Sequence, residues 1–158
     1  MVLSHLQGLL DAAAATATAR DRRGTHRFRV STFPPDEDLL SALAAEGSRR
    51  IQATGSGPWQ NEALRELRAR LGAPRPTRSR GDVEHRLRAW FQGAPEGPTT
   101  DDPVVDALVH VVLADLEVLL GEDWHGERSP LGPEADYAEA TLLLGDGSRL
   151  LLEFSRTA

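Results

Sequence analysis

The chain has no cysteine. That excludes disulfides, thiolate zinc sites and cysteine nucleophiles, and it fits a reducing cytoplasm, which is the expected location. Lysine is absent too, since all 18 basic residues are arginine. A glycine-rich phosphate loop ending in Lys-Ser/Thr therefore cannot be built. With its wealth of Ala, Gly and Leu, this arginine-only usage points to a GC-rich bacterial genome. Long apolar runs are also missing. None approaches the roughly 18 residues that span a bilayer. The segment Leu3–Leu10 is interrupted by His5 and Gln7 and has no basic region before it, so no signal peptide is expected.

At 158 residues the chain suits one domain, 1–158, able to bury about two-thirds of its unfolded surface. Hydrophobic residues at 40% and charged residues at 27% are neither membrane-like nor disordered. The Pro- and Arg-rich stretch 72–81 (GAPRPTRSRG) has linker composition, so two lobes, 1–72 and 82–158, are the alternative. The net charge of −6 hides an asymmetry. Residues 1–93 hold 15 arginines and 10 acids, whereas residues 94–158 hold 3 arginines and 14 acids. Such a split marks either a charged interaction surface or two halves that dock on each other and cancel.

Periodicity predicts five helices and four strands. Leu3, Leu6, Leu9, Leu10, Ala13, Ala14 and Ala17 share one face of a helix over 4–19, with Ser4 and Gln7 at capping-box spacing. Phe28, Val30 and Thr32 alternate in a strand over 27–33 that ends at Pro34–Pro35. A helix from Asp36 to about Gly47, a weak strand over 50–54 and a helix from Pro58 to Leu71 follow, giving a β-α-β-α pattern. Asp82 is expected to cap a short helix with Val83, Leu87, Trp90 and Phe91 on one face. Asp102–Leu120 is the clearest helix: Asp102 caps it, Pro103 fills its first turn and Gly121 stops it. It is apolar around most of its girth, which predicts a buried, central helix against a terminal hairpin. Residues 122–135 resemble a loop. Strands over 137–144 and 149–155 flank Asp146-Gly147, a hairpin signal. The expected class is α+β, with a small α/β fold as the alternative.

Four residue sets can carry chemistry. Thr54, Gly55, Ser56 and Gly57, before Pro58, would present backbone N–H groups to a phosphorylated ligand at a helix N-terminus. The dinucleotide pattern fails there, because Gln60 stands where the third glycine belongs. Asp123, His125 and Glu127 would point to one side of an extended segment, as metal ligands or acid–base groups. Asp106, His110 and Glu117, at spacings of four and seven, lie along one stripe of the long helix, where Asp106 can orient the His110 imidazole as a base. Arg75, Arg78 and Arg80 sit in an arginine-rich stretch, Arg65–Arg88, suited to phosphates, with Trp90 and Phe91 after it. An overall pI of about 5.3 runs against nucleic acid. No G-x-S-x-G nucleophile elbow is present.

Each set also has a structural explanation, and no cofactor or metal is expected. The expected function is a non-catalytic interaction protein that uses its acidic C-terminal half, with Asp123, Glu127 and Asp136 as contacts, to bind a basic protein partner in the manner of an immunity protein or inhibitor. The alternatives are a small enzyme with a phosphorylated ligand at Thr54–Pro58, and nucleic-acid binding through the arginine stretch.

Overall fold

In the computed structural model the described residues are 1–33, 77–130, 137–145 and 148–157. They form three helices, α1 (Val2–Arg20), α2 (Arg80–Phe91) and α3 (Pro103–Leu120). The strands are β1 (Thr25–Phe33), β2 (Thr77–Arg78), β3 (His125–Pro130), β4 (Tyr137–Leu144) and β5 (Arg149–Thr157). All pairings are antiparallel, in the order β1-β5-β4-β3-β2. The architecture is α+β. Of the five expected helices, those beginning at Asp36 and Pro58 lie outside the described residues, as does the strand over 50–54.

The N-terminal strand and the C-terminal hairpin share one sheet, because β1 pairs with β5 along its whole length, with Phe28 opposite Phe154. Phe28, Leu150, Leu152 and Phe154 face the helices, and Glu139, Thr141 and Leu143 of β4 fall on the same face by register. Alternation was expected along β5, yet Leu151 and Glu153 on the other face are buried as well. Phe28, Trp90, Phe91, Trp124 and Phe154 are buried: Phe28 packs edge-on to Phe154 at 5.2 Å, and Trp90 stacks on Phe154 at 5.5 Å.

β1 is an edge strand, and α1 closes it. The Gln7 amide donates to Phe28 O and accepts from Val30 N–H, both at 3.0 Å. This reproduces one rung of a parallel ladder around Arg29. Thr18 Oγ1 accepts from His26 N–H at 2.8 Å. The expected Ser4–Gln7 capping box does not form. The helix begins at Val2 without a side-chain cap, and Gln7 is spent on the strand instead. Three backbone groups of this edge, His26 N–H, Phe28 O and Val30 N–H, are thus already bonded and cannot template another chain.

Two further expectations change. Asp82 does not cap α2. Ser79 does, in a capping box with Asp82 as the third helical residue, so the helix starts earlier. The stretch 122–135 contains a strand, β3, and the expected linker contributes β2. The reason is packing. A Cβ on Gly126 would lie 3.1–3.3 Å from side-chain atoms of Thr141, Leu143 and Val83, so glycine lets α2 press against β3 where local propensity opposes a strand.

The long helix has the expected ends. Asp102 accepts from the N–H groups of Val104 and Val105 at 3.0 and 3.3 Å, and Gly121 terminates it at φ +88°. Its far end meets the hairpin, where Gly145 touches the Leu120 backbone. It is not enclosed, however. Val105, Val109, Val112, Leu113, Leu116 and Leu120 are buried, while Val104, Val111 and Val118 on the opposite side are exposed. The helix therefore caps the core rather than filling its centre.

Candidate functional site

Each residue turns the helix by about 100°. Val104, Ala107, Val111, Ala114 and Val118, spaced 3-4-3-4, therefore form one stripe opposite the buried face of α3. All five are exposed, the valines at 53%, 38% and 70%. The spacing is that of a heptad seam. The charged residues of the helix itself and of its flanks have one sign. Between residues 101 and 123 stand seven acids (Asp101, Asp102, Asp106, Asp115, Glu117, Glu122 and Asp123) and no arginine.

Not all seven are available. Arg20 bonds Asp102, Arg88 bonds Asp106, Arg80 bonds Glu117, and His5 Nδ1 lies 2.6 Å from Asp115. Together the Arg20 guanidinium and the helix amides outweigh desolvation and hold the Asp102 carboxyl below its usual range. Farther from the stripe, Arg86 bonds Glu139 and Arg23 lies 3.7 Å from Glu96. Five acids of the C-terminal half are thus met by arginines of the first 93 residues. At the ends of α3, Asp101, Glu122 and Asp123 are exposed and form no ion pair among the described residues.

Two polar clusters sit inside. Glu139 is fully buried on the helix-facing side of β4, where its Oε1 accepts from Arg86 Nε at 3.0 Å, from Arg86 Nη2 and from the Trp90 indole N–H. In the second, Asp21 Oδ2 lies 2.7 Å from His26 Nε2 and 3.5 Å from Arg156 Nη1, and Arg156 reaches on to Glu96. Burial alone would raise the Asp21 carboxyl, but the Arg23 amide, His26 and Arg156 together hold it below the usual range. Glu96 in turn raises the Arg156 guanidinium. His26 Nδ1 and Trp124 Nε1 are buried without a hydrogen-bond partner. Sequence reasoning missed both clusters, although the first left a trace: in a strand where Thr141 and Leu143 face the core, residue 139 must do so too. His26 likewise continues the alternation of Phe28 and Val30.

The residues singled out from sequence are dispersed. Asp106 is bonded by Arg88 rather than by His110, and His110 is exposed. His125 begins β3 and is exposed. Glu127 lies two residues along β3, opposite Leu142, and exposed Asp123 precedes the strand. Among the described residues no three His, Asp or Glu side chains form a group able to hold a metal ion. Arg78 lies in β2, and Arg80 is engaged by Glu117. Thr54, Gly55, Ser56, Gly57, Arg75 and Asp136 fall outside the described residues. An open groove of about 500 Å³ follows the edge of β1, lined among others by Gln7, Asp11, Arg27 and Arg29. No helix of the described residues is long and apolar enough to cross a membrane. Comparison with protein families, curated proteins and solved structures finds no match to the chain.

Proposed function

We propose that this is a non-catalytic interaction protein that binds a basic protein partner, with the outward face of α3 as its contact surface. The observation that carries the reading is the exposed Val104–Val111–Val118 stripe on a helix whose own charged residues are all acids, with exposed Asp101, Glu122 and Asp123 at its two ends. Contiguous apolar surface rimmed by polar groups is characteristic of protein contact sites. Acids at the rim attract a cationic partner, speed encounter and repel acidic competitors. Of the three acids named as contacts from sequence, Asp123 is exposed just beyond the C-terminal end of α3.

The test is a titration with two labelled peptides of about 20 residues, long enough to span α3. They share their leucine content, but one carries arginines and the other glutamates. The cationic peptide binds, more weakly as salt rises, and the anionic one does not. Val111→Asp weakens binding about tenfold or more by placing a charge in the apolar contact. It leaves the melting temperature near that of the parent, because Val111 is exposed. Equal binding of both peptides, or a Val111→Asp protein that binds like the parent, refutes the proposal.

A further inference from the structure

Resting on that reading, we infer that the partner docks as an α-helix along α3, with an apolar seam of about two heptads at its middle and cations near both its ends. Three observations define this occupant. The stripe repeats at 3-4 spacing from Val104 to Val118, about 21 Å at the helical rise, which a facing helix matches and an extended strand does not. Its side chains are valine and alanine only, so a second helix axis can approach closely. The middle acids Asp106, Asp115 and Glu117 already have partners in His5, Arg80 and Arg88, whereas the unpaired acids stand at the two ends: Asp101 before the helix, Glu122 and Asp123 after it. The C-terminal pair adds to the negative end of the α3 macrodipole, so it is the stronger cation site.

A second copy of this chain is a poor occupant. Packed antiparallel about Val111, it would set Asp101 of one copy near Glu122 and Asp123 of the other, acid against acid. Contact beyond the stripe must come from its rim, where the exposed acids at the two ends match cations and not a second set of the same acids.

The experiment uses the full chain and three arginine–leucine peptides of identical composition. One has leucine at heptad positions and arginine at both ends, one has the same heptads with arginine in the middle, and one alternates leucine with polar residues as a strand does. The first binds about tenfold or more tightly than either other peptide and gains helical circular dichroism on binding. Glu122→Gln with Asp123→Asn weakens it more than Asp101→Asn does. Equal binding of all three peptides without gained helicity overturns the helical partner while leaving a basic partner in place. Preference for the middle-arginine peptide overturns the placement of charge. Binding by none of them removes the proposed function itself. Sedimentation of the protein alone gives a monomer; a dimer abolished by Val111→Asp assigns the face to a second copy and overturns the inference.

Discussion

Replacing Glu139 by alanine tests how the two oppositely charged halves are tied together. The carboxylate is fully buried, and its Oε1 receives two donors from Arg86 and one from Trp90. Without it, Arg86 keeps one protein acceptor, Pro95 O at 3.0 Å, and the indole N–H loses its bond. Breaking one partner out of a buried ion pair costs about 3–5 kcal/mol. The Arg86 side chain retains 19% exposure and can turn toward water, which offsets part of this. A net loss of about 3 kcal/mol follows, a large share of the roughly 5–15 kcal/mol that holds a domain together. It corresponds to a fall in melting temperature of about 6–12 °C for a chain of this size. Equilibrium urea unfolding measures it as a lower midpoint at unchanged slope. The double replacement Glu139→Leu with Arg86→Leu removes charge and counter-charge together and recovers most of the loss. Asp106→Ala, at the exposed Arg88 pair, changes stability by less than about 1 kcal/mol. The reasoning fails if Glu139→Ala unfolds with the parent, or if the double variant is as unstable as the single one.

Three other perturbations probe the frame. Gln7→Ala unbonds the edge of β1 at Phe28 and Val30, costing about 1–3 kcal/mol in urea unfolding, and light scattering should show faster aggregation through the opened edge. Gly145→Ala drives a methyl into Leu120 O and sets it 2.8 Å from Leu120 Cα, so backbone must move. It destabilises by about 1–3 kcal/mol, read as an earlier thermal transition. The Asp21 carboxyl is held low in the fold, so its stabilisation is present above the unfolded carboxylate value of about 3.9 and is lost as pH falls through the folded value; Asp21→Asn flattens the decline of melting temperature in that acid range.

What the sequence disclosed depended on whether local signals and packing agreed. α3 was legible because Asp102, Pro103 and Gly121 mark its ends independently of what surrounds it. The hairpin was legible for the same reason, since the alternation of Leu150, Leu152 and Phe154 reinforces the turn. β3 was not, because His-Gly-Glu-Arg-Ser-Pro has no strand periodicity and pairs only through the fit of Gly126 under Val83. The boundary of α2 moved because Ser79 and Asp82 are both good cap residues, and only the backbone decides which one stands outside the helix. At the site, composition disclosed the apolar girth of α3 but favoured complete enclosure. A helix with six buried positions already fills its place against α1 and α2, so the additional valines at 104, 111 and 118 are surplus to the core.

That surplus changes how the charge asymmetry is to be understood. As a bulk property, eleven excess acids in residues 94–158 resemble a broad field aimed at a basic partner. In the fold, arginines at 20, 23, 80, 86 and 88 each meet one of those acids, so much of the asymmetry is internal wiring between segments distant in sequence. Docking of the halves and attraction of a partner are therefore not rival accounts of the same charges. The first uses the acids within reach of α1 and α2. The second has left to it, among the described residues around α3, Asp101, Glu122 and Asp123, which stand at the two ends of the apolar stripe. Long-range attraction is weakened by that pairing, and with it the capacity to gather any polycation indiscriminately. Charges confined to the ends of an apolar seam discriminate by spacing, since a partner gains from both only if its own cations lie one helix length apart.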